Sequence, residues 1–300
     1  MRVTITGASG PIGSRLVAAL TARGDEVTAL SRRPDEARER LGVDAAAWHP
    51  DREPAPAAAL AGRDGVVHLA GEQIGQRWTP KAKKRIRSSR ELGTANLVEG
   101  LREADPRPRV LVSASGVGYY GARGDERLDE SAAAGDDFLA QVCQEWERAA
   151  GAALELGMRV VIQRTGVVLD RSAGALAKML PPFRLGVGGP VGGGDQYVSW
   201  IHPDDLVGLY LAALDGEQWA GPVNAAAPEP ATNRALSRAL GRAMHRPALV
   251  PVPVVALKVL YGEMAWVVTT GQRAVPARAL ELGFVFRHPD LDEALQAALA

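Results

Sequence analysis

The 300-residue sequence has one cysteine, few aromatic residues and no excess of either charge. Because Cys143 has no partner for an internal disulfide bond, the sequence excludes a disulfide-stapled secreted domain and fits a reducing compartment. Lys plus Arg and Asp plus Glu each number 35, so no overall field attracts the chain to nucleic acid or to an anionic membrane. We therefore expect neither nucleic acid nor a membrane as a partner.

Long apolar runs and targeting segments are also lacking. The N-terminus enters a β-rich stretch at Val3 without the basic and apolar segments of a secretory signal. The most apolar late stretch, 249–268, is interrupted by prolines, Lys258 and Glu263 well short of the roughly 20 apolar residues that a membrane span requires. We expect a cytoplasmic protein.

Short β-branched runs alternate with longer helical patterns through the first half of the chain. The predicted strands are Val3–Thr6, Val27–Ser31, Val43–Trp48 (the weakest), Gly65–Ala70, Val110–Ser115 and Arg159–Thr165. The predicted helices between them are Pro11–Arg23, Pro80–Glu103 and Asp136–Glu155, the last closed by Gly157. This alternation predicts an α/β fold with a doubly wound parallel sheet that is covered by helices on both faces.

A glycine-rich turn joins the first predicted strand to the first predicted helix. Three glycines repeat every third residue there, where backbone amides and the helix N-terminus can receive a pyrophosphate. The predicted contacts are Gly7, Ser9, Gly10, Pro11, Ile12 and Gly13. This arrangement is typical of a dinucleotide-binding unit of Rossmann type, and the alternative is a tight strand-to-helix turn without a ligand.

The tip of the second predicted strand reads Ser31-Arg32-Arg33. An acid at this tip would bind the adenosine ribose hydroxyls, whereas basic residues accommodate a 2′-phosphate. Arginine forks bind phosphate in a bidentate manner, so the tip favours NADP(H) over NAD(H). The alternative is a solvated basic turn.

The chain changes in character after Thr165. Residues 186–194 are a glycine-rich loop by composition, and later helical patterns lie near 232–244, 254–268 and 289–299. We expect residues 1–225 to form the nucleotide-binding domain, with the glycine-rich loop as an insertion. Residues 226–300 are expected to form a small α+β part on the substrate side.

Several motifs together resemble the extended short-chain dehydrogenase/reductases, and more closely their atypical branch of epimerase family proteins with a small C-terminal domain of unknown function. The motifs are the glycine spacing, His68–Ile74, Arg77-Trp78-Thr79, Ser89-Arg90, Ser113–Gly121, Trp146-Glu147, Arg164–Leu169, Trp200–Asp205, Gly221–Ala225 and Leu282–Phe286. The resemblance implies that the cofactor also contacts Leu69, Ala70, Gly71 and Arg164. It further implies a small-molecule substrate and a homodimer.

The catalytic Tyr-x-x-x-Lys pair of that superfamily is absent. Aligned on Trp146-Glu147, Leu139 takes the tyrosine position and Cys143 takes the lysine position. Leucine has no proton to exchange, and a neutral thiol cannot replace the ammonium group that lowers a phenol pKa. We interpret Cys143 as a buried apolar residue rather than a nucleophile.

Residues at and after the ends of the predicted strands are candidates to replace the missing Tyr-x-x-x-Lys pair. Ser115 is a catalytic candidate, with a strand-end cap as the alternative, and Tyr119 and Tyr120 are proton-donor candidates, with aromatic packing as the alternative. For a polar substrate pocket the sequence offers Glu72, Arg77, Trp200 and His202. A Glu/Arg surface pair and a structural tie at the histidine are the alternatives.

The basic run of the chain and its histidines both have a functional and a non-functional interpretation. The basic run of residues 81–90 lacks interleaved aromatics, so a solvated helix face is favoured over a nucleic-acid contact. The histidines show no ligand spacing and there is no cysteine pair, so the sequence predicts no metal site. The function predicted is an NADP(H)-dependent oxidoreductase or epimerase acting on a hydroxyl or carbonyl compound, with sugar nucleotides as one class. The alternative is a non-catalytic NADP(H)-binding regulatory protein.

Overall fold

The computed structural model describes residues 1–300 and contains thirteen strands and eleven α-helices. The strands are β1 Arg2–Thr6, β2 Glu26–Ser31, β3 Asp44–Ala47, β4 Gly65–His68, β5 Val110–Gly116, β6 Arg127–Leu128, β7 Arg159–Thr165, β8 Val167–Val168, β9 Tyr197–Val198, β10 Trp200–Ile201, β11 Gly221–Ala225, β12 Ala231–Thr232 and β13 Arg273–Ala274. The helices are α1 Pro11–Ala22, α2 Pro34–Leu41, α3 Pro80–Glu103, α4 Phe138–Gly151, α5 Gly174–Arg184, α6 Pro203–Asp215, α7 Asn233–Ala243, α8 Val254–Tyr261, α9 Ala265–Thr269, α10 Ala277–Glu281 and α11 Leu291–Leu299.

Seven of the strands form one parallel sheet in the order β11-β7-β5-β4-β1-β2-β3. The chain winds outward from β1 to β3, then returns to the other side of β1 at β4. Such a reversal opens a crevice at the carboxyl ends of the two strands that flank it, which is where open α/β sheets bind ligands. The crevice therefore lies over the ends of β1 and β4.

Both faces of the sheet are covered by helices, which confirms the predicted doubly wound α/β fold. On one face Val3 and Ile5 pack with Leu16 of α1 and Leu206 of α6. On the other face an apolar cluster joins strand residues to α3 and contains Val66, Leu97, Leu101 and Leu111. Strands buried on both faces read as continuous apolar runs, which is why their positions were visible in the sequence.

A smaller part is built from short strands and the C-terminal helices. Paired short strands, β8 with β10 and β9 with β12, lead into it. Its apolar core includes Leu176 of α5, Trp200, Leu236 of α7 and Leu295 of α11. Residues on both sides of position 225 thus pack together in this part.

The long helix predicted over 254–268 is divided in the structure. Gly262 adopts a φ of 62°, a left-handed conformation that ends α8 before a 3-10 turn and α9. None of the helices combines the length and the apolar character needed to cross a bilayer.

Candidate functional site

The turn between β1 and α1 is shaped by glycine. Gly7 has a φ of 69°, and its amide oxygen accepts a hydrogen bond from Gly10 N at 3.0 Å. A Cβ at Gly13 would lie 2.4 Å from Gly7 O, so only glycine fits that position without displacing the turn. Helix α1 begins at Pro11 with no side-chain cap and no acid in its first turn. Its free amides therefore form a cradle for an anion such as a pyrophosphate.

The segment after β4 lies directly against this turn. A Cβ at Gly7 would lie 2.8 Å from the carbonyl carbon of Leu69, and Thr6 Oγ1 accepts hydrogen bonds from the amides of Leu69 and Ala70, both at 3.2 Å. The predicted Leu69, Ala70 and Gly71 are thus brought to the crevice beside the glycine turn. The second wall of the crevice is formed by their backbone.

Beneath that wall a buried polar chain joins three elements. Thr6 Oγ1 is 2.7 Å from His68 Nδ1, and His68 Nε2 is 3.0 Å from Thr94 Oγ1 of α3. Burial, with the charge of Arg90 as a lesser cause, lowers the pKa of His68 to about 3, so the ring is neutral. This neutral histidine fixes the ends of β1 and β4 relative to each other.

At the tip of β2 the two arginines differ. Arg33 forms an ion pair with Glu36 at 3.0 Å, whereas Arg32 is exposed and makes no ion pair or hydrogen bond. Ser31 Oγ accepts a hydrogen bond from Arg33 N at 3.1 Å, which tightens the turn. Arg32 is therefore the cation at this tip that can bind a phosphate without giving up an existing ion pair.

Ser115, at the end of β5, donates a hydrogen bond of 2.7 Å to Glu147 Oε1 of α4. Glu147 is held in turn by Arg164 of β7 through bonds of 3.0 Å and 2.8 Å. The ring of Tyr119, which is half-buried, lies 3.5 Å from the Arg164 guanidinium carbon, and its hydroxyl is free of hydrogen bonds. The Ser115 hydroxyl is thus held against a fixed carboxylate.

Arg164 was predicted to contact the cofactor, and Tyr120 was a proton-donor candidate with aromatic packing as its alternative. In the structure both side chains bind other groups of the chain. Arg164 is 4% exposed, and its remaining terminal nitrogen donates to Tyr120 Oη at 3.0 Å. Tyr120 is fully buried and donates to Asn224 Oδ1 at 2.7 Å. Burial raises the pKa of Tyr120 to about 12, against the opposing effect of Arg164. Both side chains instead link β7, the segment after β5 and β11.

Leu139 and Cys143 lie on the face of α4 that meets the end of β5. A Cβ at Gly118 would lie 2.7 Å from Leu139 Cδ2, so leucine packs directly on the segment after Ser115. Cys143 is buried, and burial raises the pKa of its thiol to about 11, with the charge of Glu147 acting in the same direction. The thiol is neutral, in agreement with its interpretation as an apolar residue.

The predicted substrate residues do not converge. Glu72 accepts hydrogen bonds from Gln76 at 3.0 Å and from Arg85 at 3.2 Å. The bond from Gln76, followed by the bond and charge of Arg85, lowers the pKa of Glu72. Arg77 is not among the partners of Glu72 and donates to backbone carbonyls of α8, including Leu260 O at 3.4 Å. The loop after β4 therefore starts at the crevice and ends on the C-terminal helices.

Trp200 and His202 lie away from the crevice residues named above. Trp200 is fully buried in the core of the smaller part and donates to Glu229 O at 3.0 Å. His202 caps α6 by accepting a hydrogen bond from Asp204 N at 3.2 Å, and its ring is in tilted contact with the ring of His288. Trp200 has no exposed surface in this structure, and the cap formed by His202 corresponds to its structural alternative.

Most of the basic side chains in the run on α3 form contacts within the chain. Lys83 pairs with Glu263, Arg85 with Glu72 and Arg87 with Glu145. Arg90 is buried, lies 4.8 Å from the Trp146 ring and donates to Glu72 O at 3.1 Å. The run therefore fixes α3 to the loop after β4, to α4 and to the C-terminal part.

The role of Glu147 was not predicted from the sequence, where the residue was used only to align the positions of the Tyr-x-x-x-Lys pair. Its signal is a carboxylate on the α4 face that carries Cys143 and Trp146, a face that an amphipathic helix buries. A buried carboxylate requires a cation, and Arg164 in the predicted β7 strand was the available partner.

Comparison with known proteins agrees with this geometry. Residues 3–226 match the NAD dependent epimerase/dehydratase family, and residues 252–298 match a domain of unknown function, DUF1731. The chain belongs to the NAD dependent epimerase/dehydratase family. The resemblance predicted from the motifs, including the small C-terminal domain, is thereby confirmed.

Relatives of this family member are similar over nearly the whole chain. The epimerase family protein SDR39U1 homolog, chloroplastic, of Arabidopsis thaliana is 42% identical over 304 residues, covering 100% of this chain and 87% of the relative. An epimerase family protein of Mycobacterium leprae is 40% identical over 298 residues, covering 99% of this chain and 95% of the relative. The crystal structure of human epimerase family protein SDR39U1 (isoform2) with NADPH is 36% identical, has a TM-score of 0.89 and is matched over 99% of both chains.

Proposed function

We propose that this family member binds NADPH along the carboxyl edge of its sheet. The observation that carries the proposal is the glycine cradle at the start of α1, which has no acid in its first turn and no space for a Cβ at Gly13. The unpaired Arg32 at the tip of β2 supplies the positive charge that binds the 2′-phosphate. The human relative crystallised with NADPH supports the same cofactor.

Replacing Arg32 with alanine is expected to weaken NADPH binding by about 10- to 100-fold, because a charge-assisted hydrogen bond to phosphate is lost. NADH binding, which involves no 2′-phosphate, is expected to stay within about twofold. Fluorescence titration with both nucleotides measures the ratio. Arg33→Ala is the comparison variant and is expected to have the smaller effect, since Arg33 must first give up its pair with Glu36. Equal losses for the two nucleotides would remove the assignment of Arg32 to the phosphate.

For chemistry, we infer an oxidoreductase or epimerase that acts on a hydroxyl or carbonyl compound. Bound NADPH supplies a hydride, and its oxidised form accepts one. In the oxidation direction Ser115 Oγ accepts the proton of a substrate hydroxyl while its own proton moves to Glu147 Oε1, 2.7 Å away. Reduction reverses both transfers. Arg164 acts only by positioning Glu147 and balancing its charge.

Turnover tests this inference directly. The purified protein would be mixed with NADPH and a panel of sugar nucleotides and simple carbonyl compounds, with hydride exchange followed by isotope transfer. With an active compound, Ser115→Ala is expected to lower the rate by about 100-fold while NADPH affinity is unchanged. Ser88→Ala is the control, because that hydroxyl bonds only to Arg85 O within α3. An unchanged rate in Ser115→Ala would exclude the Ser115–Glu147 relay.

A second function is favoured by one specific observation, the replacement of the Tyr-x-x-x-Lys pair by Leu139 and a neutral Cys143. In this reading the protein binds NADPH without turnover and presents a cofactor-dependent conformation to another protein. Tight NADPH binding with no hydride exchange across the panel would support it over catalysis. Its cofactor site is the same, so the Arg32 result applies to both functions.

A further inference from the structure

Two histidines and an aspartate from distant parts of the chain meet beside the start of α6. Asp204 Oδ2 lies 3.8 Å from His202 Nδ1 and 3.8 Å from His288 Nε2. One donor atom from each of the three residues lies within 4.8 Å of the others. Two bonds of about 2.1 Å to a shared ion in tetrahedral geometry separate their donors by roughly 3.4 Å, so small side-chain rotations bring the set into range.

We propose that His202, Asp204 and His288 form a Zn²⁺ site, with water as the fourth ligand. Imidazole nitrogen is a ligand for zinc and for copper, iron and nickel, whereas calcium and magnesium prefer sites made of oxygen alone. Two imidazoles and one carboxylate are a donor set that zinc accepts in tetrahedral geometry. The sequence predicted no metal site because the third ligand, His288, lies far from the others along the chain.

The backbone around the three ligands is fixed by a neighbouring carboxylate. Asp205, which is buried, accepts hydrogen bonds from Arg287 N at 2.6 Å and from His288 N at 3.0 Å. His202 and Asp204 are themselves set by the first turn of α6. Metal ligands that are oriented by a second layer of hydrogen bonds lose less entropy on binding, so Asp205 is a positioning residue for this site.

Two existing contacts must yield when zinc binds. His202 Nδ1 gives up a weak hydrogen bond of 3.2 Å from Asp204 N. The rings of His202 and His288 are in tilted contact, with centroids 3.9 Å apart and planes 43° apart, and His288, the more exposed ring, must rotate. Both changes are local, and neither breaks a strand or a helix.

A cation already competes for the carboxylate. Arg287 Nη1 lies 3.7 Å from Asp204 Oδ2, and the Arg287 side chain is mostly exposed. An exposed ion pair of this length contributes little, about 0–1 kcal/mol, so zinc can displace it. If the site binds zinc, removal of Arg287 therefore strengthens zinc binding. If the cluster is only a set of ion pairs, removal of Arg287 takes one partner from Asp204 and does not strengthen zinc binding.

The bound metal would connect two parts of the molecule. His202 and Asp204 follow β10 and open α6, which packs on the main sheet, while His288 precedes α11 of the C-terminal part. The site shares no residue with the glycine cradle or with Ser115. Zinc therefore acts here as a clamp between the C-terminal segment and the nucleotide-binding domain.

Calorimetric titration of chelator-treated protein with ZnCl2 tests the proposal, with thermal unfolding as a second readout. We expect one equivalent to bind and to raise the melting temperature by mass action. His288→Phe, which keeps an aromatic ring against His202, and Asp204→Asn are each expected to weaken binding by about 100-fold or more. Arg287→Ala is expected to tighten it. His245→Ala is the control, because that exposed histidine lies outside the cluster.

Several results would overturn the site. One is zinc affinity in His288→Phe and Asp204→Asn equal to that of the wild-type protein. Another is binding of several weak equivalents that His245→Ala reduces as much as His288→Phe does. A third is weaker binding in Arg287→Ala. Because NADPH affinity is measured separately, failure of the zinc site leaves the proposed cofactor function intact.

Discussion

Replacing Gly13 with valine is expected to weaken NADPH binding by about 100-fold or more, which corresponds to roughly 2.7 kcal/mol of binding free energy. Any Cβ at this position would lie 2.4 Å from Gly7 O and 2.7 Å from Ala8 Cα. Since both are backbone atoms, they can make room only if the turn opens. Opening the turn moves the first amides of α1 out of the arrangement that receives the pyrophosphate.

Nucleotide titration by fluorescence measures the effect, and thermal unfolding shows whether the domain remains folded. Gly151→Ala is the matched control because a Cβ there meets nothing within 4 Å and the backbone is helical. That control is expected to keep wild-type affinity. If Gly13→Val remains folded and binds NADPH within about threefold of the wild-type protein, the anion cradle is placed wrongly.

Replacing Glu147 with leucine is expected to lower the free energy of unfolding by about 3–5 kcal/mol, because the Arg164 charge is left buried without its partner. The two side chains are only 13% and 4% exposed, so water cannot replace the lost carboxylate. Urea unfolding followed by circular dichroism measures the change. The Ser115 hydroxyl also loses its acceptor, so this single change removes the partner of two buried groups.

A double variant separates the buried charge from simple packing. Glu147→Leu combined with Arg164→Met removes both charges and is expected to recover most of the lost stability. The surface pair Glu99–Arg102 is the control, since Glu99→Ala is expected to cost at most about 0.5 kcal/mol. A Glu147→Leu variant that loses less than about 1 kcal/mol would show that Arg164 is solvated rather than buried.

The elements that sequence predicted well are those whose signal is local. Arg159–Thr165 was predicted with its observed bounds, because a β-branched run buried on both faces is visible residue by residue. The closure of the helical segment at Gly157 followed from the preference of glycine for the left-handed φ of 77° that it adopts. By contrast, β11 was not assigned as a strand. Its Gly221 and Pro222 are atypical of strands and are tolerated at the edge of a sheet.

In the candidate site, too, the residues with a local sequence signal were predicted, and contacts that depend on tertiary packing were not. Residues of the glycine turn, the tip of β2 and the end of β4 lie together because parallel strands bring their carboxyl ends to one edge. The pairing of Arg164 with Glu147 was not predicted, because Glu147 lies on a helix that packs behind the strand and no local pattern reports that packing. The proximity of His202 to His288 depends on where the C-terminal segment docks, which a single sequence does not encode locally.

The two edge strands of the sheet, β11 and β3, affect whether the protein aggregates at high concentration. Unpaired edge amides and carbonyls are templates on which another chain can add a strand and begin an aggregate. On β11, Pro222 carries no amide hydrogen, and the amide of Asn224 is already bound to Glu130 at 2.9 Å. On β3, which has only four residues, Arg38 donates to the carbonyl of Ala45. Some of the edge groups on which another chain would pair are therefore missing or already occupied on both strands, which disfavours strand addition.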